Sequence, residues 1–168
     1  SLGEVPSTVE IWSTVRPDKL HPHVSEMNAA VKNAGPSVTP VGAVANNEGQ
    51  TESVQEWQIR LTNPPSAISV GSTTESDKAA ISEFISATPD GTRHPKVVAP
   101  GVDVDVVTDN GKLIKDTGTS FATPHVSGTV ALLQSYVKKN PGRIRQTYLT
   151  TDRSGQKKLS RERIEHYI

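Results

Sequence analysis

One helix, entered through a glycine turn, constrains this chain more than any other stretch. Val126, Val130, Leu133 and Val137 recur at spacings of four, three and four, the apolar stripe of a helix that buries one face. Leading into it is Thr117-Gly118-Thr119-Ser120-Phe121-Ala122-Thr123-Pro124-His125-Val126-Ser127-Gly128. Ser120 is therefore expected at or beside the first turn, where unpaired N–H groups point outward and the helix dipole favours negative charge. Pro124 is expected at an early position, where the N–H it lacks has no intrahelical partner. From position alone two readings of Ser120 stand level. It is a plain N-cap, or a hydroxyl set over a helix N-terminus for acyl transfer.

The rest of the chain sets the frame. Its 168 residues suit one domain with a substantial core. Apolar residues make up 33%, enough for that core without surplus. With no cysteine there are no disulfides and no thiolate metal sites. No apolar run approaches the roughly 20 residues that span a bilayer, so no membrane partner is expected. The opening Ser1-Leu2-Gly3-Glu4 has neither a basic nor an apolar leader, so no signal peptide is expected in it. Net charge is zero but unevenly spread. Residues 1–137 carry 9 basic and 15 acidic side chains, and residues 138–168 carry 9 and 3. That basic segment is expected to be a solvated C-terminal arm paired with the acidic body. Tyr136, Tyr148 and Tyr167 lie too far apart to interleave with it for base stacking, so no nucleic-acid partner is expected.

Taken in order, residues 4–19 form an irregular insert around Trp12, with Val9–Trp12 either a short strand or a packed anchor. A helix is expected over 23–33, with Val24, Met27, Ala30 and Val31 on one face and Gly35 as its stop. A buried strand over 37–45 follows, weakened at its start by Pro40, and ends in Asn46-Asn47-Glu48-Gly49. Carboxyl ends of such strands are where open α/β sheets place their sites. Asn47 there is either a turn residue tolerant of the left-handed region or a neutral amide donor. Further strands are expected over 67–71, 81–85 and 97–102. Val102–Val106 alternates with period two, which would put Asp103 and Asp105 on one exposed strand face. Asp109-Asn110-Gly111-Lys112 is a hairpin turn. The long helix stops at Lys138-Lys139-Asn140-Pro141-Gly142, and a short amphipathic helix is expected over 159–167.

The wording Gly118-Thr119-Ser120-Phe121-Ala122-Thr123-Pro124-His125-Val126-Ser127-Gly128 resembles the nucleophile motif of the subtilisin-like serine proteases. Asn46-Asn47-Glu48-Gly49 resembles that family's Gly-Asn-Glu-Gly segment, and Val98-Ala99-Pro100-Gly101 its Val-Ala-Pro-Gly turn. Ser1-Leu2-Gly3 resembles the segment that lines the primary specificity pocket. Asn63-Pro64-Pro65 and the strand after it resemble a segment whose proline is cis, at the position of Pro65.

The resemblance implies a three-layer α/β fold, a mainly parallel sheet with helices on both faces, its N-terminal strands absent from this chain. Residues 1–137 would be the nucleophile half of the catalytic domain and 138–168 a basic extension of the same domain, the resemblance fading beyond Tyr136. Ser120 would attack the scissile carbonyl, and Asn47 with the Ser120 N–H would hold the oxyanion. Ser1, Leu2, Gly3, Ala45 and Asn46 would bind substrate. Asn46 departs from the usual Gly, and its side chain is expected either to narrow the primary specificity pocket or to change what enters it. The resemblance implies a polypeptide substrate and a secreted or extracytoplasmic setting. Calcium is common in the family, although no loop here shows a ligand set and no other cofactor is evident.

A subtilisin-like mechanism also needs His as base and Asp to orient it. His21, His23, His94, His125 and His166 lie outside any such motif, and His125 is expected to pack or support the helix. The triad's Asp and His are therefore expected from sequence outside this chain, on the N-terminal half of the same domain, and these residues alone are expected to be inactive. The other reading is a non-catalytic relic of the fold that binds protein.

Overall fold

A computed structural model describes residues 9–12, 24–44, 46, 67–76, 86–87 and 93–168. In chain order its elements are β1 (Val9–Trp12), α1 (Val24–Ala34), β2 (Thr39–Ala43), β3 (Ile68–Thr73), β4 (Ser86–Ala87), β5 (Arg93–His94), β6 (Val97–Pro100), β7 (Val104–Val107), β8 (Leu113–Asp116), α2 (Thr119–Lys139), β9 (Leu149–Thr151), β10 (Lys157–Leu159) and α3 (Arg161–Tyr167). Val9–Trp12 is thus a strand. The strand expected over 81–85 and the cis bond expected at Pro65 lie outside the described residues.

Strands β1, β2, β3 and β6 form one parallel sheet in that order. Val41 lies opposite Ile68, Val70 opposite Val97 and Thr73 opposite Pro100. Every residue of β2 and β3 is buried, as a parallel sheet covered by other elements requires. Pro40 lies opposite Glu10 in the ladder to β1, and the ladder to β3 begins one residue later, at Val41. Helix α2 crosses the sheet and contacts all four strands. Its Ala122, Val126, Val130 and Val137 are buried against Val41, Ile68 and Val70, with Leu133 partly buried beside them. This is the stripe read from the sequence, and the architecture is α/β as expected.

On α1, Val31 is buried but Ala30 is exposed, against expectation. Ala30 sits one turn beyond the exposed Glu26 and so shares its solvent face. The paired-carboxylate face is also corrected. Asp103 precedes β7 and adopts the left-handed region at φ 54, so only Asp105 is on the strand. Asp105 pairs with Lys115 at 2.7 Å across the hairpin in full view of solvent, a contact of small energetic weight. The turn at Gly111 forms as expected, with φ 78.

The basic segment does not project as a solvated arm. Leu159 and Ile164 join the same core as Val130 and Val137. The buried Gln134 side chain on α2 exchanges two hydrogen bonds with Leu159. Its Nε2 donates to the Leu159 carbonyl (3.1 Å), and its Oε1 accepts the Leu159 N–H (3.0 Å). Arg161 reaches the end of α1, donating through Nε to the Val38 carbonyl (2.8 Å) and through one terminal nitrogen to the Gly35 carbonyl (2.8 Å). Carbonyls at a helix end lack intrahelical donors, and a guanidinium supplies several in a fixed fork. Lys158, 7% exposed, is neutralised by Asp152 at 2.9 Å. The same carboxylate accepts the Ser154 hydroxyl (2.7 Å) and the Ser154 and Gln156 amides (both 2.9 Å).

Two outcomes follow for the protein. Arg161→Ala should lower its unfolding free energy by about 1–3 kcal/mol, because carbonyls beneath the guanidinium lose their donors; denaturant titration checks this. The bonds from Lys158 and then Ser154 hold the Asp152 carboxyl well below the usual carboxylate range. A depressed folded-state pKa contributes stability that is present above the unfolded value and lost as pH falls. Asp152→Asn should therefore flatten the fall in melting temperature between about pH 5 and 2.

Candidate active site

Helix α2 begins at Thr119, with Gly118 as its N-cap and no side chain of its own making a cap bond. Ser120 is therefore the second helical residue, half-buried, and not the cap. The N-cap reading falls on that count. Its amide belongs to the first turn, which has no intrahelical acceptor and points away from the helix body. Pro124, by contrast, is the sixth helical residue, beyond the first-turn place expected for it. The N–H it lacks would have bonded the Ser120 carbonyl, so the helix is deprived of a rung directly behind Ser120. In the same turns the Thr123 hydroxyl donates to the Thr119 carbonyl (2.8 Å) and Ser127 to the Thr123 carbonyl (3.1 Å).

The turn before Ser120 is held at the carboxyl ends of three parallel strands. Past β6, the Gly101 N–H donates to the Thr73 carbonyl at the end of β3 (2.9 Å). The Gly101 carbonyl accepts the Gly118 N–H at 2.8 Å. A methyl group on Gly101 would lie 2.7 Å from Ser72 Cβ, 2.8 Å from the Gly118 carbonyl oxygen and 3.0 Å from Ala122 Cβ. Only glycine lets these three segments approach. The Thr117 hydroxyl accepts the Asp103 N–H (3.1 Å), tying the β7 entry to the same turn. From the end of β2, Asn46 Oδ1 accepts the Thr119 N–H (3.0 Å) and the Thr119 hydroxyl (3.3 Å).

Of the site residues expected from the sequence, the structure brings Ser120 and Asn46 to this junction. Ser1, Leu2, Gly3, Ala45 and Asn47 lie outside the described residues. Sequence reasoning missed the anchoring parts played by Gly101, Thr117 and Asp103. The Val-Ala-Pro-Gly wording flagged Gly101 without showing what it touches.

The described histidines each have their own setting. His94 is buried, with Nδ1 2.8 Å from Ser69 Oγ. Ser69 lies four residues before Thr73 on β3, which at strand rise is about 13 Å from the Gly101 junction. His125 is exposed on α2, so the packing role expected of it is not seen. His166 stacks edge-on against Tyr167 at 5.5 Å. Among the described residues no group of three or more His, Cys, Asp or Glu side chains converges to hold a metal. No helix among them is long and apolar enough to cross a membrane.

The family model described as "Subtilase family" matches residues 1–164. The chain belongs to the subtilase family. The match runs well past Tyr136, where the resemblance was expected to fade, and takes in Leu159 and most of α3. The major intracellular serine protease of Bacillus subtilis (strain 168) is 37% identical over 117 residues, 70% of this chain and 35% of that protein. Subtilisin NAT of Bacillus subtilis subsp. natto is 33% identical over 109 residues, 65% of this chain and 27% of that protein. This subtilase chain thus spans about a third of the length of the curated relatives it matches. Among solved structures, the patellamide maturation protease PatA superposes with TM-score 0.52 at 23% identity, over 68% of this chain and 39% of that one. The PatG macrocyclase domain superposes with TM-score 0.58 at 17% identity, over 81% and 39%. At these identities the likeness shows a subtilisin-like fold, in agreement with the parallel sheet. The family is one of serine proteases.

The subtilase junction makes one substitution informative. In the full-length protein, Gly101→Ala should cost about 2–4 kcal/mol, since its methyl meets backbone and two Cβ atoms that have little room to give. Thermal unfolding checks the loss.

Proposed function

We propose that this chain is the nucleophile-bearing part of a serine endopeptidase, with the triad's His and Asp supplied by residues outside these 168. The observation that carries the reading is the placement of Ser120. It follows the cap of a 21-residue helix whose entrance is fixed by backbone bonds to the strand ends. Its hydroxyl takes no part in capping, and its own amide is a first-turn donor.

In this reading a polypeptide substrate lies along Ser1, Leu2 and Gly3 on one side and Ala45 and Asn46 on the other. The Ser120 hydroxyl attacks the scissile carbonyl carbon as the external His takes its proton, and the external Asp orients that His. Negative charge gathers on the former carbonyl oxygen. The Ser120 N–H meets it with the partial positive charge of the helix end, and the Asn47 amide adds a neutral donor that does not titrate. The tetrahedral intermediate collapses, the leaving amine takes the proton from His, and an acyl-Ser120 ester remains for water to hydrolyse. Support comes from the family match and from relatives called serine proteases. That the chain spans a third of those relatives fits a triad completed from the N-terminal half of the domain.

In the full-length protein, Ser120→Ala should remove peptide hydrolysis and labelling by a fluorophosphonate, both by several orders of magnitude. Asn47→Leu should lower kcat about 10²–10³-fold with KM little changed, a magnitude that itself comes from a subtilisin oxyanion donor. Hydrolysis that survives Ser120→Ala would overturn the assignment. A full-length protein that binds polypeptide but never acylates would be a non-catalytic member of the fold.

A further inference from the structure

We propose that Asn46 is a positioning residue for Ser120, capping α2 from the end of β2. The inference rests on the reading of Ser120 as the nucleophile.

Helix α2 has no cap of its own. Gly118 stands at the N-cap without a side chain, and the first turn carries no acidic residue. The preceding carboxylate in the sequence, Asp116, is engaged one step upstream, where its Oδ1 accepts the Thr117 N–H at 2.8 Å. The first helical amide is instead met by a side chain 73 residues away in sequence. Asn46 Oδ1 accepts the Thr119 N–H (3.0 Å) and the Thr119 hydroxyl (3.3 Å). An amide N–H can only donate, so the Asn46 oxygen, not its nitrogen, must face Thr119. Both contacts bear on one residue, which limits rotation about the Thr119 backbone and side chain together. The next residue is Ser120.

Gly118 and the Asn46 carboxamide lie close together: a Cβ on Gly118 would be 3.3 Å from Asn46 Nδ2, a tight contact, and 3.7 Å from its Oδ1, an ordinary one. In the motif this segment resembles, the position of Asn46 is usually Gly, which has no side chain to offer. The expected effect on the pocket gives Asn46 a role toward substrate; the hydrogen bonds give it one toward the nucleophile turn.

The test uses the full-length protein with Asn46→Ala and Asn46→Asp. Alanine removes the acceptor, and aspartate keeps one in the same place. Amide hydrogen exchange followed by NMR reads the bond at Thr119 whether or not the protein is active. Asn46→Ala should speed Thr119 exchange about five- to tenfold, the size of a lost cap, and Asn46→Asp should restore wild-type protection. The rate of Ser120 acylation by an alkyl fluorophosphonate, and kcat for a peptide, should fall with Asn46→Ala about as much. Unchanged Thr119 exchange in Asn46→Ala, or exchange in Asn46→Asp as fast as in the alanine variant, would overturn the cap. Faster exchange with undiminished acylation would overturn the positioning role. A wild-type protein that shows the exchange pattern yet never labels would support the cap and overturn the nucleophile reading instead.

Discussion

Everything at the candidate site depends on how closely Gly101 brings two backbones together. Its N–H is spent on the end of β3 and its carbonyl on the Gly118 amide, so one residue joins the sheet to the turn that carries Ser120. Backbone groups buried in such a place must be paired, and here each pairing also fixes geometry. A side chain at Gly101 would separate the partners. The turn that carries Ser120 is thereby placed by the sheet rather than by its own loop.

The helix behind it has to be both rigid and interrupted. Its lower stripe, from Ala122 to Val137, is locked into the core with Leu159 and Ile164, so α2 cannot slide without unpacking the C-terminal segment. Its first turns are looser in hydrogen bonding, because Pro124 removes the donor to the Ser120 carbonyl and two hydroxyls bond back to carbonyls four residues earlier. Capping from outside, by Asn46, restores order at the end where the ladder is weakest. Anchored body and externally held tip are a sensible division for a helix whose first turn is proposed to meet developing charge.

The basic C-terminal segment shows how a charge count can mislead. Nine basic residues in 31 positions look like a solvated arm, yet one of them is buried and another works on backbone. Lys158 is matched by Asp152 inside the same hairpin. Arg161 satisfies carbonyls at the end of α1, more than 120 positions away. Net charge counts these residues alike, and the contacts separate them.

Sequence alone determined the α2 stripe, the α/β class, the Gly111 hairpin and, through its nucleophile wording, the family. These are local or periodic properties: a 3.6-residue repeat, a turn that needs positive φ, a run of residue types with one known setting. It also placed Ser120 at a helix start, because the run of helix-compatible residues begins there. Tertiary structure decided the rest. That Ser120 is the second helical residue, that Pro124 lies within the helix, that Ala30 faces solvent and that Asp103 leaves the strand are all matters of a residue or two, set by which neighbour supplies a bond. The cap at Asn46 and the clasp at Gly101 join positions 73 and 17 residues apart, and no periodicity connects such pairs. Only the folded chain brings the end of a strand to the beginning of a helix, and it is there that Gly118, not Ser120, takes the cap position.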